Sequence, residues 1–465
     1  MSKEASVADT MHTWNGSTEL FAHAVIGYAI ERLQLPKDTR WGAIPAEDLA
    51  AVLSPTISPD GVGALEALRV FRDVLLPACR PMDDPMNLAY VPTAPSVAAT
   101  MFDLVVSASS IFAGAWEAGA GAIAAENHAI RWLADLAGFP STAGGVFVSG
   151  GSAANLSALV TAREVARSRR TPTSRWTVAV TEEVHASVRA AARVMDVDIL
   201  TVPVDVNGRL TGAALQGVLD AHDGDGVFAV VATGGTTNAG AIDELDAIAD
   251  VCAAGDLWLH VDGAYGLAGL CSEIARDRFH GIERADSFGV DPHKWLFAPY
   301  DCAALVYRDP APAADAHAQH GTYLDAVDRG EWNPSDYAYH LSRRARGLPL
   351  WFSLATYGTR AYTEAVDVAI RTARAFADDV ASRDGFTLLL EPELSVVLFT
   401  VDGWTRDDYL GWSRERARAG VALVVPTSWK GEACLRICLV HPLTQLVDLQ
   451  ALLDDLAAGN HGRTW

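Results

Sequence analysis

The stretch Ser287-Phe-Gly-Val-Asp-Pro-His-Lys-Trp-Leu-Phe297 places a lysine directly after a short apolar run. Lys294 stands between a histidine and a tryptophan, where a buried strand of an α/β sheet is expected to end. Lysines favour water, so a lysine at such a position has two explanations. Its ammonium group extends out of the core into solvent, or its amine is kept to form an imine with a carbonyl group. The stretch by itself leaves both explanations open.

A second apolar run ends in an aspartate about thirty residues upstream. Residues 257–261 are continuously apolar or aromatic apart from a histidine, and Asp262 falls at their carboxyl end. Ligands of open α/β sheets bind at that end of the strands. Asp262 could cap a helix, or it could keep a pyridine nitrogen protonated, as pyridoxal phosphate requires. Capping leaves the small residues Gly263 and Ala264 and the downstream lysine unrelated.

A glycine-rich turn follows an earlier apolar run, in Gly144-Gly-Val-Phe-Val-Ser-Gly-Gly-Ser-Ala-Ala-Asn155. Residues 146–148 predict a strand, and a helix is expected to begin near Ala153. The first turn of a helix offers free N–H groups and a favourable dipole to a phosphate. An ordinary tight turn would explain the glycines alone. With Asp262 and Lys294 in order downstream, the pattern favours a phosphate site.

Together these motifs resemble the group II pyridoxal-phosphate-dependent amino-acid decarboxylases, the family of aromatic-L-amino-acid and tyrosine decarboxylases. The resemblance spans about four hundred residues and includes a helical stretch at 18–55, Tyr90-Val-Pro-Thr-Ala94, a helix at 126–132 and the motifs at 181–188, 231–237 and 434–438. It implies the type I fold of pyridoxal-phosphate-dependent transferases, like aspartate aminotransferase. That fold has a mainly parallel seven-stranded α/β sheet and a smaller C-terminal α+β domain. The expected divisions are an N-terminal dimer clasp at 1–95, a large cofactor-binding domain at 96–350 and a small domain at 351–465.

The resemblance also implies roles around the cofactor ring. Lys294 would hold the cofactor as a Schiff base, and Asp262 would pair with the pyridine nitrogen. His185 would stack on one face of the ring, and Ala264 would pack against the other. Without the resemblance, His185 would be an ordinary core or surface histidine.

Further residues would surround the phosphate and the substrate carboxylate. The resemblance implies that Gly151 and Ser152 donate hydrogen bonds to the phosphate, and that Asp291 and His293 lie near it or near Lys294. Thr237 would support Asp262 or the substrate carboxylate, although it could equally be a simple turn residue.

Residues 311–334 are rich in Ala, Asp, His and Gly and show no apolar periodicity, which predicts a long loop that could act as a lid. In the family a tyrosine of this loop acts as proton donor in the neighbouring subunit's active site, and relatives with phenylalanine there tend to form aldehydes. Tyr323 therefore favours simple decarboxylation to an amine. The alternative is a loop tyrosine without a special role.

The substrate pocket is expected to be less aromatic than in typical aromatic decarboxylases. Its predicted residues are Tyr90, Val91, Pro92, Thr93, Met82, Phe112, Gly114 and Ser342. One methylene group in a pocket changes discrimination by only about 1–3 kcal/mol, so these side chains do not name the amino acid. An aromatic substrate is the first hypothesis, and a large aliphatic or sulfur-containing amino acid is the second.

Composition limits the class of protein. A net charge of −22 argues against nucleic acid or anionic membranes as partners, because phosphate binding needs a basic surface. Six cysteines are scattered without the spacing of a zinc site, and no metal is expected. We find no N-terminal leader and no apolar run of membrane-spanning length, which predicts a cytoplasmic protein. The resemblance implies a homodimer with shared active sites.

Three other functions share features with this sequence. An aldehyde synthase would use the same cofactor, and a non-catalytic relative would keep the fold as a binding module. Residues 119–124 match the dinucleotide pattern G-x-G-x-x-A, but no buried strand precedes them. Close helix packing by small residues explains that match better than a nicotinamide site.

Overall fold

The computed structural model describes residues 11–34, 44–319 and 331–459. Their contacts divide the chain into two compact units: Met1–Asn87 with Arg414–Leu423, and Leu88–Ser413 with Val424–Trp465. The expected divisions at residues 95 and 350 remain a prediction.

The first unit is helical. Its helices are α1 (Gly16–Gln34), α2 (Ala46–Leu53) and α3 (Ala64–Val70), and α3 continues into a π-helical turn at Phe71–Leu75 and a 3₁₀ turn at Leu76–Ala78. The helical stretch predicted at 18–55 coincides with α1 and α2, apart from residues 35–43, which lie outside the described residues. Arg32 Nη2 lies 3.1 Å from Asp83 Oδ1 and ties α1 to the end of the unit.

A mainly parallel sheet of seven strands forms the centre of the second unit, with the order β1-β7-β6-β5-β4-β2-β3. Its strands are β1 (Gly144–Val148), β2 (Thr177–Thr181), β3 (Asp198–Val202), β4 (Val227–Thr233), β5 (Trp258–Asp262), β6 (Ser287–Val290) and β7 (Ala303–Tyr307). Only β7 runs antiparallel to its neighbours, β1 and β6. Every residue of β4 and β5 is buried, as continuous apolar runs predict for a sheet covered on both faces. The predicted fold class is confirmed.

Helices cover this sheet and connect its strands. They are α4 (Val97–Ala108), α5 (Trp116–Leu136), α6 (Gly151–Arg169), α7 (Ala186–Met195), α8 (Gly212–Ala221), α9 (Leu245–Ala254), α10 (Pro292–Trp295), α11 (Ala311–His317) and α12 (Leu348–Tyr357). Right-handed β-α-β connections of this kind bring the carboxyl ends of the parallel strands to one edge of the sheet.

A second sheet of four antiparallel strands has the order β10-β11-β9-β8. The remaining elements are α13 (Thr359–Ser382), β8 (Phe386–Leu388), β9 (Val396–Val401), α14 (Arg406–Ala419), β10 (Val425–Trp429), β11 (Glu432–Cys438) and α15 (Leu446–Gly459). The C-terminal α+β region therefore has the expected content. None of the described helices is long and apolar enough to cross a membrane.

The predicted loop at 311–334 is partly wrong, whereas the prediction for residues 119–124 agrees with the structure. The loop predicted at 311–334 is wrong at its start, because Ala311–His317 is helical; the alanines favour a helix and Pro312 fits its first turn. The G-x-G-x-x-A match lies inside α5, as expected for helix packing. A Cβ on Gly119 would come within 2.5 Å of the Phe112 carbonyl oxygen, so this glycine permits a close approach.

Candidate active site

The lysine and the aspartate singled out in the sequence meet at one edge of the sheet. Strands β5 and β6 run parallel, with Asp262 opposite Gly289, so both end at the same edge. Asp291 directly follows β6, and Lys294 lies in the short helix α10. Lys294 Nζ is 3.0 Å from Asp291 Oδ2. The lysine amine is thus held by a carboxylate at the carboxyl edge rather than directed into solvent.

The carboxylates around Lys294 offset the effect of burial on its pKa. Burial is the largest influence and lowers the pKa of the Lys294 ammonium, but the carboxylates of Asp291 and Asp262 together raise that pKa above its ordinary value. The Asp291 carboxylate is 4 % exposed, and in the described part of the chain its Oδ1 atom has no hydrogen-bond partner. A buried carboxylate oxygen normally has a partner, so this oxygen is available to a ligand.

The backbone on both sides of Lys294 is held tightly. The main-chain N–H of His293 donates to Cys302 O at 3.2 Å, and the N–H of Ala298 donates to Pro292 O at 3.1 Å. The His293 Nδ1 atom also lies 2.7 Å from Cys302 O and 3.2 Å from the Cys302 main-chain nitrogen, so both backbone groups of Cys302 face this ring nitrogen. Burial lowers the pKa of His293. The segment 292–302 is therefore a closed turn that presents the lysine.

Asp262 has one protein donor on each carboxylate oxygen. Asn155 Nδ2 donates to Oδ2 at 2.8 Å, and the main-chain N–H of Ala264 donates to Oδ1 at 3.1 Å. Each oxygen keeps a lone pair for a further donor. Thr237 is not among these partners. It lies in the turn after β4, where its carbonyl accepts a hydrogen bond from Arg436 Nε at 2.9 Å, and its role toward the substrate remains a prediction.

The glycine-rich turn after β1 leads into α6 with its first turn open. No side chain caps this helix end among the described residues, and Gly150 is extended. A Cβ on Gly151 would stand 3.0 Å from Ala264 Cβ and 3.2 Å from Asp291 Oδ2. Gly151, Ala264 and Asp291 thus line one small space, and a larger side chain would fill it. The open helix end, this space and the free Asp291 oxygen fit the phosphate and ring that the sequence implies.

His185 precedes α7 and is exposed, so its ring is accessible. Its Nδ1 atom lies 2.8 Å from Ser187 Oγ and also accepts the main-chain N–H of Ser187 at 3.3 Å. One ring nitrogen is therefore occupied by its own chain, and the ring can stack on a ligand without losing these contacts.

The predicted substrate residues lie in three segments. Tyr90 is 57 % exposed, whereas Val91, Pro92 and Thr93 are buried, and Thr93 Oγ1 has no partner among the described residues. A Cβ on Gly114 would meet the Phe112 ring and Leu341 O, so Gly114 lies beside the residue before Ser342. Met82 belongs to the first unit, and Tyr323 lies outside the described residues.

Sequence reasoning missed several polar residues near this edge. Asn155 and His260 are 1 % and 0 % exposed and bond to each other at 3.0 Å, with Asn155 also on Asp262. Arg436 also donates to the carbonyl of Tyr90, which joins the pocket segment to the Thr237 turn. The Tyr300 ring lies 4.7 Å from that of His293. Asn155 ends the glycine-rich motif and Arg436 lies in the motif at 434–438, but neither received a role from the sequence. His260 stood out only as a polar residue within the apolar run of β5.

Comparison with known proteins identifies the family. The family model described as "Pyridoxal-dependent decarboxylase conserved domain" matches residues 53–402. The chain is 30% identical over 430 residues to an aromatic-L-amino-acid decarboxylase of Bacillus atrophaeus, covering 89% of each chain. It is 31% identical over 409 residues to an L-2,4-diaminobutyrate decarboxylase of Rhizobium meliloti (strain 1021), covering 85% of this chain and 81% of that one.

A solved structure gives the same result. The structure of Oryza sativa TDC with PLP and tryptamine superimposes with a TM-score of 0.86 at 25% identity, covering 96% of this chain and 99% of that chain. The chain therefore belongs to the pyridoxal-dependent decarboxylase family, as a carboxy-lyase that uses pyridoxal phosphate to decarboxylate an amino acid.

Proposed function

We propose that this protein removes the α-carboxyl group of an aromatic L-amino acid and releases the amine and carbon dioxide. The observation that supports this most directly is the shared edge of β5 and β6, where Lys294 Nζ lies 3.0 Å from Asp291 while Asp262 keeps a free lone pair on each oxygen. An amine nucleophile and a carboxylate at one edge are the two groups that the cofactor needs.

Each of these residues has a separate task. When bound, pyridoxal phosphate supplies the electron sink that accepts the electrons of the broken carbon–carboxyl bond. Lys294 would hold the cofactor through its aldehyde carbon, and Asp262 would keep the ring nitrogen protonated. The N–H groups of Gly151 and Ser152 would hold the phosphate at the start of α6. His185 would stack on the ring and keep water from one of its faces.

Two residues would transfer protons during the reaction, Lys294 and Tyr323. The Asp291 and Asp262 carboxylates favour the ammonium form of Lys294, so Nζ would give up a proton before it bonds the cofactor, and once displaced by the substrate it could take up or return a proton at this site. We infer that Tyr323 supplies the proton that completes the amine, from the loop of a neighbouring subunit in a homodimer. The presence of tyrosine rather than phenylalanine at this position favours amine over aldehyde formation.

The proposed preference for an aromatic substrate rests on the pocket. All eight predicted pocket residues are uncharged, and Tyr90 and Phe112 supply aromatic surface. A diamino acid such as 2,4-diaminobutyrate would bury a second ammonium group, which needs a carboxylate partner. The lack of an acidic residue in this set favours an aromatic ring over a second charge. A large aliphatic or sulfur-containing side chain is the alternative.

A carbon dioxide release screen of the purified protein with pyridoxal phosphate tests the proposal. We expect tyrosine, tryptophan or phenylalanine to give the highest kcat/KM, and 2,4-diaminobutyrate a value at least tenfold lower. Equal or higher turnover of the diamino acid would overturn the substrate assignment. Ammonia and peroxide measured beside the amine separate a decarboxylase from an aldehyde synthase.

Two further inferences belong to the same proposal. We infer a homodimer, because the family resemblance implies active sites shared between subunits. A cytoplasmic setting is the second inference. Sedimentation velocity would detect the dimer. Mixing Lys294→Ala protein with Tyr323→Phe protein should restore activity if each active site takes its tyrosine from the other subunit, and no recovery would contradict shared sites.

A further inference from the structure

We propose that Asn155 is a positioning residue that holds both Asp262 and His185 through one amide group, and that His260 fixes the orientation of that amide. This inference rests on the proposed roles of Asp262 and His185. It concerns residues that neither the family resemblance nor the sequence motifs assigned to the reaction.

Asn155 is the branch point of a buried hydrogen-bond chain. It lies on α6, and its Nδ2 atom is 2.8 Å from Asp262 Oδ2 and 3.0 Å from Ser187 Oγ. Its Oδ1 atom is 3.0 Å from His260 Nε2. An amide group has two hydrogens to donate, and both are used here. The same side chain therefore contacts the partner of the ring nitrogen and, through Ser187, the stacking histidine.

The chain continues from His260 along the same face of the sheet toward its amino edge. His260 Nδ1 lies 2.9 Å from Ser287 Oγ, and Trp258 Nε1 donates to that same oxygen at 2.9 Å. Ser287 and His260 are fully buried, and Trp258 is 9 % exposed. Because no water competes at these positions, each donor and acceptor is satisfied by the next residue in the chain.

The Asp262 end of this chain fixes the direction of its hydrogen bonds. The Asp262 carboxylate can only accept, so Asn155 presents its nitrogen there and its oxygen to His260. That amide oxygen can only accept, so neutral His260 carries its hydrogen on Nε2 and its Nδ1 atom accepts from Ser287. An indole N–H can only donate, so Ser287 accepts from Trp258 and keeps its own hydrogen for His260, which agrees with the same orientation of the amide.

The direction of the chain also bears on the tautomer of His185. Ser187 Oγ accepts from Asn155, so its hydroxyl hydrogen is free to point to His185 Nδ1, 2.8 Å away. The Ser187 main-chain N–H, 3.3 Å from the same Nδ1 atom, favours the same tautomer, in which a neutral His185 carries its hydrogen on Nε2. One amide thus holds a carboxylate directly and, through Ser187, reinforces the tautomer of an imidazole proposed to serve the same ring.

Nitrogen NMR of the histidine side chains in the cofactor-free protein tests this assignment directly. Wild-type His185 should show its hydrogen on Nε2, and the signal is identified by its loss in His185→Gln. In Ser187→Ala the 3.3 Å main-chain bond alone favours this tautomer, and in Asn155→Ala the Ser187 hydroxyl is no longer directed, so we expect a smaller share of His185 with its hydrogen on Nε2 in both variants. An unchanged His185 tautomer in both variants would overturn the proposal, whether or not the protein proves to be a decarboxylase.

Kinetics of the loaded enzyme separate positioning from simple stability. We expect kcat to fall about 10–100-fold in Asn155→Ala, the range found for residues that orient a ligating group, with KM changed by less than about threefold. Ser187→Ala removes only the His185 branch, so its effect on kcat should be about fivefold, the equivalent of one hydrogen bond. A fall in stability with kcat unchanged would reduce Asn155 to a structural residue and overturn the proposal.

His260 allows a rescue experiment. In His260→Gln the side-chain amide can still donate to Asn155 Oδ1, whereas His260→Leu removes the donor and keeps the bulk. We expect Gln to retain most of the wild-type kcat and Leu to reproduce the Asn155→Ala defect. Asn333→Ala serves as the matched control, because Asn333 is also a buried asparagine at 3 % exposure and bonds to the main chain of Trp116. That control should lower the melting temperature without changing the His185 tautomer. Equal kcat for the Gln and Leu variants would contradict the role of His260.

Discussion

The two edges of the central sheet both carry charged groups, but they differ in how those groups are paired. At the carboxyl edge, Asp291 Oδ1 has no partner among the described residues, and Asp262 has only one donor on each oxygen. At the amino edge a cleft of about 850 Å³ opens beside Trp258 and Asp286. There Arg169 lies 2.5 Å from Asp256 and Arg284 lies 2.6 Å from Asp250.

This difference shows that a wide cleft by itself does not mark a reactive site. Arg169 and Arg284 line the amino-edge cleft, and each is paired with a carboxylate. The carboxyl edge keeps acceptors with unused lone pairs and an amine between two carboxylates, which is the arrangement that a reactive ligand needs. If pairing rather than volume decides the location of the chemistry, substitutions at the two edges should have different kinds of effect.

The largest effect is expected at Lys294. Lys294→Ala removes the amine that holds the cofactor, so kcat should fall by at least about 10⁴-fold and the visible absorption band of the bound cofactor should disappear. Absorption spectra and carbon dioxide release measure both results. A visible band that persists in this variant would contradict the assignment of the active site to the carboxyl edge.

A buried ion pair with two parallel hydrogen bonds should affect stability rather than chemistry. Arg343 Nη1 and Nη2 lie 2.7 and 2.8 Å from the two oxygens of Glu126, and both side chains are nearly completely buried. Arg343→Ala leaves an unpaired buried carboxylate, so the free energy of unfolding should fall by about 3–5 kcal/mol. Urea unfolding measures this loss. Arg175→Ala, at an exposed pair with Asp198, is the control and should change the free energy of unfolding far less.

Asp262→Asn tests the carboxyl edge without changing its shape. The amide keeps the size of the side chain but removes the negative charge that we propose to face the ring nitrogen, so kcat should fall about 10²–10³-fold. The melting temperature should change little. Steady-state kinetics and thermal unfolding together check this prediction, and wild-type kcat in the variant would show that the ring nitrogen is held elsewhere.

The acid stability of the protein should depend on His260. Burial lowers the pKa of His260 to about 4, below the value near 6.5 of an unfolded chain. The unfolded state therefore binds one more proton between these values, so stability is fully present above pH 6.5 and is lost as the pH falls toward 4. The slope attributable to His260 is at most about 1.4 kcal/mol per pH unit.

The comparison with His260→Gln isolates that slope. Asp243, whose pKa burial raises to about 7, acts in the opposite direction, because its contribution is lost as the pH rises through that value. Urea unfolding from pH 4.5 to 7.5 should therefore show a smaller loss toward acid in the variant than in the wild type. Parallel curves for the two proteins would mean that His260 is not kept neutral by its surroundings.

The smallest effect is expected at the amino edge. Arg169 and Asp256 are both more than half exposed, so Arg169→Ala should change the free energy of unfolding by less than about 1 kcal/mol and leave kcat unchanged. A tenfold change in kcat would show that the cleft communicates with the active site and would break the contrast between the edges.

The sequence was sufficient for the residues that end a strand. Asp262 and Lys294 follow continuous apolar runs, and such runs predict buried strands whose carboxyl ends meet at one edge. The strand predicted at residues 146–148 begins two residues earlier, at Gly144, because sequence patterns do not fix element ends. The early part of the predicted loop at 311–334 was wrong because a short alanine-rich helix has no apolar periodicity when it is only seven residues long.

The sequence was not sufficient for the support of these residues. Asn155 is separated in the sequence by 107 positions from Asp262 and by 105 from His260. No local sequence pattern encodes a hydrogen bond between elements so far apart. His260 was visible only as a polar residue in an apolar strand, which has many causes. The roles of the pocket residues and of Tyr323 remain predictions.

The closed turn at residues 292–302 has a kinetic consequence. Its main-chain bonds from His293 to Cys302 and from Ala298 to Pro292 hold the lysine backbone in place independently of any ligand contact. Reaction of Lys294 with an aldehyde then requires no ordering step of its own. We expect the covalent attachment of pyridoxal phosphate to follow a single exponential whose rate rises in proportion to cofactor concentration, without the plateau that a slow rearrangement would impose.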